Sequence, residues 1–213
     1  MPLDPPTRSL ILLAAAIAAG GESDVRDAFA NALSSEMPEA WLEELVLQSY
    51  LFCGFPRALN AAREWRRQSP RAASSAEREL DAPATEHVDE ADQVSEWRGR
   101  GEATCAAVYG SMYEKLRLNV RDLHPLLDEW MIVEGYGKVL GRAALDLPRR
   151  ELCIIAACAA TGQDRQLHSH LHGALNVGVE PQMVRDALEV LAPVLGEARA
   201  RSARLLLARV LGK

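Results

Sequence analysis

Two stretches decide the fold, Arg8-Ser-Leu-Ile-Leu-Leu-Ala-Ala-Ala-Ile-Ala-Ala-Gly20 and Arg150-Glu-Leu-Cys-Ile-Ile-Ala-Ala-Cys-Ala-Ala-Thr-Gly162. Each is an almost unbroken apolar run between an arginine and a glycine, and the second begins 142 residues after the first. Holding that offset aligns residues 8–57 with 150–199 without a gap, and 10 of the 50 positions are identical. The matches include Ala32-Leu33 with Ala174-Leu175, Gly54 with Gly196 and Arg57 with Arg199. Glycines and Ala-Leu pairs that fall in register with the apolar periodicity read as a duplication, not as a chance meeting of alanine-rich helices. The first run also has the outline of an export signal, with Arg8 ahead of an apolar segment and small residues behind it. Duplication makes Leu10 to Ala19 a core helix instead, and the run is short for a membrane span.

Composition narrows the partners. The 213 residues are enough for one ordinary domain or two small ones, and 48% hydrophobic content is ample for a core. A formal charge of -6 lacks the basic surplus that nucleic-acid binding requires. Neither nucleic acid nor a membrane is expected as a partner. Cys53, Cys105, Cys153 and Cys158 form no CxxC pair, and three sit in apolar runs where a thiol packs as a small hydrophobe. A disulfide framework or structural zinc site is not expected, and a reducing cytoplasm is the expected location.

Apolar residues recur every three or four positions and β-branched clusters are few, which predicts an all-α chain. Helices are expected over 7–19, 23–33, 38–53, 57–66, 94–118, 124–141, 148–161 and 164–177, and over 181–211 with a break at Pro193. Leu152 to Ala160 is apolar on every face and should be buried all round. Residues 68–93 hold few large apolar residues and read as a flexible linker. The expected organisation is a degenerate partial repeat over 1–67, the linker, and a complete domain over 94–213.

Polar chemistry concentrates in Gln166-Leu-His-Ser-His-Leu-His-Gly-Ala-Leu-Asn176. At about 100° per residue, Leu167, Leu171, Ala174 and Leu175 form the buried stripe. His168 and His170 flank it on opposite edges, and His172 points further toward solvent. An imidazole at such an edge reaches a pocket while neighbours orient its ring. His168 and His172 share a face, but no HExxH or third ligand accompanies them, so no metal is expected. Glu151 precedes the all-apolar helix, where burial beside apolar neighbours favours proton exchange near neutral pH. The first copy has Ser9 and Ala28 in place of Glu151 and His170, which leaves this chemistry to the second.

The ordered series Val108-Tyr-Gly110, His124-Pro125, Glu134-Gly-Tyr-Gly-Lys-Val-Leu-Gly-Arg142, Leu145-Asp146, Arg150-Glu-Leu152 and Gln166 to Asn176 resembles the carboxymuconolactone decarboxylase family. That family lies within the alkylhydroperoxidase-D-like superfamily of all-helical oligomers. The resemblance covers 98–192, and 39–64 is similar to the family's closing helices. It implies an alkylhydroperoxidase-D-like bundle with two internal repeats, assembled as a trimer or hexamer. It also implies cofactor-independent decarboxylation of a small anionic lactone or carboxylate in aromatic-compound catabolism.

By that resemblance His170 is the acid or oxyanion donor and Glu151 its proton partner, with His168, Arg142, Tyr136 and Glu134 as substrate-binding neighbours. The chain departs from the family pattern at Tyr136, where tryptophan is usual, and at His168-Ser-His170, where Arg-x-His is usual. The superfamily's peroxidase branch shares the spacing of Glu151 and His170 but places a CxxC pair where Gln163 and Gln166 stand, which leaves Cys105 as the candidate redox thiol. Thiol peroxidase activity is therefore the alternative, and a non-catalytic small-molecule-binding or scaffold protein is a third. The first repeat could also donate residues such as Arg57 and Asn60 to the pocket.

Overall fold

The computed structural model describes residues 3–69 and 90–212. Among the described residues every regular element is helical. Along the chain run α1 (Pro5–Ala19), α2 (Glu22–Ser34), α3 (Glu39–Gln68), α4 (Glu90–Tyr109), a 3-10 turn (Gly110–Met112), α5 (Tyr113–Leu123), α6 (Pro125–Trp130), a π-helix (Met131–Leu140), α7 (Leu147–Thr161), α8 (Asp164–Asn176), α9 (Pro181–Leu195) and α10 (Glu197–Val210). None is long and apolar enough to cross a membrane.

The repeat is visible atom by atom. Asp4 and Asp146 cap α1 and α7 in the same way: Asp4 Oδ1 accepts from the Thr7 amide at 2.8 Å and Asp146 Oδ1 from the Arg149 amide at 2.9 Å. Gly54 and Gly196 share one backbone conformation, φ 75° with ψ 162° and φ 75° with ψ 161°. That region is open essentially to glycine alone, so α3 kinks at Gly54 and α9 gives way to α10 at Gly196. The break therefore falls at Gly196 and not at Pro193, which stands inside α9. Its missing amide removes a bond only in the last turn. Arg57 donates to the carbonyls of Ile17 and Gly20 at 3.1 Å, and Arg199 to that of Ala160. The two aligned arginines thus satisfy the orphan carbonyls that end α1 and α7.

The copies meet through α1 and α7. Leu10, Ile11 and Leu13 on one helix and Leu152, Ile154 and Ile155 on the other are fully buried. Arg149 Nε donates to Thr7 Oγ1 at 2.9 Å across the junction, a bond between equivalent positions of the two repeats. Every residue from Arg150 to Ala160 is buried, as the all-apolar reading requires.

The middle of the chain departs from the expected helices. The single helix expected over 94–118 divides at Gly110, whose φ of 53° turns the chain into α5. Most of the segment expected as 124–141 widens into a π-helix, closed by a bond from the Gly141 amide to the Tyr136 carbonyl. Apolar spacing does not separate that pattern from an α-helix. Gly101 of α4 and Gly137 of the π-helix meet backbone to backbone: a Cβ on Gly101 would lie 2.1 Å from the Ile132 carbonyl oxygen, and one on Gly137 2.2 Å from that of Trp97. Of the stretch expected as linker, 70–89 lies outside the described residues, Gln68 ends α3 and residues 90–93 open α4.

Candidate active site

Asp146 and Pro148 start α7, and three residues after that proline comes Glu151, with no solvent exposure. Gly162, left-handed at φ 71° and ψ 31°, ends the helix and returns the chain into α8, which carries His170 at 5% exposure. His170 Nδ1 lies 2.8 Å from Glu151 Oε2. One turn further, a Cβ on Gly173 would stand 2.6 Å from the same oxygen, so the lack of a side chain there makes room for the carboxylate. The other oxygen, Glu151 Oε1, is buried with no hydrogen-bond partner among the described residues. Burying an acceptor unpaired is costly, and is one mark of a group kept for chemistry and not for stability.

His170 stands in the wall of a cavity of about 590 Å³. Three separate parts of the chain build that wall. From α3, in the first copy, Phe52 sets its edge against His170 with centroids 5.7 Å apart. From α4 Tyr109 does the same at 6.4 Å. The π-helix contributes Glu134 and Tyr136, and Tyr136 packs edge-on to Tyr109 at 6.4 Å. Phe55, Leu127 and Trp130 line the cavity while remaining more than half exposed, at 64%, 51% and 55%.

The contact fixes how the imidazole is presented: with Nδ1 turned to the Glu151 carboxyl group, Nε2 is the ring nitrogen left for other partners. Burial raises the Tyr109 and Tyr136 hydroxyls above the ordinary tyrosine range, with the Glu151 carboxylate adding to the shift. Both remain neutral donors across the physiological range. Burial also raises Tyr50, and the Glu134 carboxylate pushes in the same direction.

Of the residues singled out from sequence, the structure brings His170, Tyr136 and Glu134 to this cavity and places Glu151 behind His170. Glu134 is paired with Lys138 at 2.9 Å. Two others lie elsewhere. His168, two residues before His170, faces a second cavity of about 510 Å³ together with His172, their ring centroids 5.0 Å apart. Arg142 donates to Glu44 of α3 at 2.8 Å and is not part of the cavity wall. Among the described residues no three His, Cys, Asp or Glu gather closely enough to hold a metal ion.

Cys105 is fully buried, and burial pushes its thiol up to about 12. Burial likewise raises Cys153 and Cys158 to about 12 and Cys53 to about 11. The thiolate, the form that attacks peroxides, is scarce at all four near neutral pH.

Arg57 and Asn60 stay away from this wall, Arg57 being engaged with the end of α1. The first copy contributes Tyr50 and Phe52 instead, from the stretch similar to the family's closing helices, where nothing assigned them to the pocket. Arg150 also carries more than its place in the series suggested. Its guanidinium is fully buried and donates to Glu44 Oε2 at 2.6 Å, Gln48 Oε1 at 3.0 Å and the Leu145 carbonyl at 3.1 Å. That anchor fixes the first turns of α7 against α3, and with them Glu151. Its signals in the sequence were its place at the head of an all-apolar helix, its match with Arg8 and its place in the series, none of which pointed to Glu44.

Two comparisons bear on these observations. The sequence model of the carboxymuconolactone decarboxylase family matches residues 2–67 and 129–209, both copies of the repeat, and leaves out the segment that carries Tyr109. Peroxisomal protein 2 of Schizosaccharomyces pombe is 27% identical over 150 residues, which is 70% of this chain and 66% of that protein.

Proposed function

This chain belongs to the carboxymuconolactone decarboxylase family, and from that premise we propose that it is a cofactor-independent acid–base enzyme in which His170 moves a proton at a carbon conjugated with a carbonyl. The observation that carries this reading is the 2.8 Å contact of His170 Nδ1 with a fully buried Glu151, the same ring standing in the cavity wall. Paired in this way, an imidazole alternates between acceptor and donor at Nε2 while its orientation is held.

Applied to the reaction in the family's name, the scheme is short. The bond to the departing carboxylate breaks, and its electron pair moves through the conjugated double bond onto the lactone carbonyl as carbon dioxide leaves. Burial keeps Tyr109 and Tyr136 protonated, and since Tyr136 donates to the Tyr109 oxygen, the Tyr109 hydroxyl is the one that donates to the resulting oxyanion in this scheme. A protonated His170 then delivers its Nε2 proton to carbon and is reprotonated from solvent. Aromatic-compound breakdown is the source of substrates of this kind. The thiol-dependent alternative draws no comparable support from geometry, since no described cysteine combines exposure with a lowered pKa.

Turnover of 4-carboxymuconolactone, followed by loss of the unsaturated lactone and release of carbon dioxide, tests the reading. His170→Gln is expected to lower kcat by about 10²–10⁴ with the helical circular dichroism unchanged, and Glu151→Gln to lower it in the same direction. A folded His170→Gln protein with wild-type turnover would remove His170 from the mechanism.

A further inference from the structure

We propose that the cavity of about 510 Å³ shared by His168 and His172 is a second binding site, which takes a small organic carboxylate with an apolar body. It lies outside the site at His170: among the described residues Tyr109 alone lines both cavities. The inference does not depend on the acid–base reading of His170.

The first argument is charge. Lys115 of α5 and His168 and His172 of α8 converge on this space, and among the described residues that line it none is aspartate or glutamate. No described carboxylate pairs with Lys115. The next cations along α5 are committed elsewhere, since Arg117 and Arg121 both close on Asp128. In a chain of net charge -6, a wall that gathers basic and neutral groups without an acid suits an anion brought from outside. Ser111 and Asn119 add a hydroxyl and an amide to the same wall. Hydrogen bonds from such donors to a carboxylate are strengthened by its charge.

The second argument is the histidine pair and what surrounds it. The two ring centroids lie 5.0 Å apart, edge to face. Burial, and after it the neighbouring His168, disfavours the protonated form of His172. A carboxylate seated beside the pair offsets that repulsion and draws protons onto the imidazoles, so binding tightens as pH falls. The titratable groups of the wall are Lys115 from α5, Tyr109 from α4 and the two histidines of α8. Burial keeps Tyr109 neutral, and histidine is the type that titrates near neutrality, so the pH dependence falls to the pair. Val108, Met112 and Leu116 supply an apolar part of the wall, which favours an anion that brings apolar surface with it.

Histidine-selective nuclear magnetic resonance of the full-length protein tests the site, with benzoate as the probe, benzamide as its uncharged counterpart and acetate as the carboxylate without a ring. Benzoate is expected to move the His168 and His172 ring signals along saturating curves, with a dissociation constant about five-fold lower at pH 6 than at pH 8. Benzamide should leave those signals in place, and acetate should bind more weakly than benzoate. Lys115→Gln should weaken benzoate by about three-fold or more with the helical circular dichroism unchanged. Benzoate shifts that are absent or unsaturable, that appear only at His170, or that benzamide reproduces overturn the proposal. So do acetate binding as tight as that of benzoate, an affinity independent of pH, or one unaltered in Lys115→Gln. The response at His168 and His172 should persist in His170→Gln whatever the turnover of that variant, so failure of the acid–base reading is read separately.

Discussion

Arg150 Nη2 lies 2.6 Å from Glu44 Oε2, an ion pair sealed from solvent between the second copy of the repeat and the first. Its partners leave little of either group unsatisfied: the guanidinium also meets Gln48 and two backbone carbonyls, and the carboxylate also meets Arg142. Buried pairs of this kind contribute modestly when intact and cost heavily when halved.

Glu44→Ala therefore leaves a buried cation without its partner and is expected to lower unfolding stability by about 3 to 5 kcal/mol. Urea titration followed by circular dichroism measures it. Arg150→Met in the same protein should recover most of the loss, because a similar volume is then filled without charge. A cost below about 1 kcal/mol for Glu44→Ala would place the pair among surface-like contacts of little consequence.

Thiol chemistry gives a pH-dependent expectation. Cys105, Cys153 and Cys158 ionise near 9 in the unfolded chain and at about 12 in the folded one. The folded values are raised, so this contribution to stability is complete below pH 9 and is lost as pH climbs from about 9 toward about 12. Iodoacetamide at pH 8, read by mass spectrometry, should label the half-buried Cys53 first and the other three only on unfolding. Cys105→Ser should retain turnover. Rapid labelling of Cys105 in the folded protein, or loss of activity in that variant, would revive the peroxidase reading.

The paired glycines predict paired penalties. Gly54→Ala and Gly196→Ala each force a side chain into a region where only glycine is comfortable, and each is expected to cost about 1 to 3 kcal/mol. The space around both positions is open, with at most Pro56 Cδ at 3.7 Å from a Cβ on Gly54, so the cost is conformational and not steric. Thermal unfolding of the two variants should give shifts of similar size. A large shift at one glycine and none at the other would break the equivalence of the two breaks.

Assembly is the remaining expectation. Phe55, Leu127 and Trp130 at the cavity rim, with Leu123 at 78% and Leu126 at 48% exposure beside them, leave a sizeable apolar surface uncovered by the single chain. Light scattering should report a trimer or hexamer, and Leu123→Glu with Leu126→Glu, which leaves the cavity lining unchanged, should reduce it to a smaller species. A monomeric wild type would contradict the assembly.

Much of this architecture was legible beforehand because it is local or repeated. The 142-residue offset became visible through Gly54 with Gly196 and Arg57 with Arg199, and the structure supplies the reason: one backbone conformation and one helix-end contact that tolerate little substitution. Glu151 and His170 were legible because a titratable residue stands out against an apolar stripe. What escaped depends on distance in the chain. Tyr50, Phe52 and Tyr109 lie in stretches that carry the resemblance, yet they meet His170 only after α3 and α4 pack, and nothing in the sequence couples them to it. His168 sits two residues from His170, and on a helix that separation turns a side chain by about 200°, which sends it to another cavity. The widened turns of the π-helix and the break at Gly110 leave the apolar count of the segment unchanged, so periodicity passes over them.

The wall that α3 lends to His170 has a consequence for how the chain can be divided or inherited. Residues 94–213 hold both Glu151 and His170, yet expressed alone they would lose Phe52 from one side of the imidazole and the Glu44 carboxylate that meets Arg150. The first copy carries Ser9 and Ala28 where the second has Glu151 and His170, and it packs Phe52 against the His170 ring. On the proposed reading neither half is a portable module: recombination that exchanged one repeat without the other would separate His170 from Phe52 and Arg150 from Glu44.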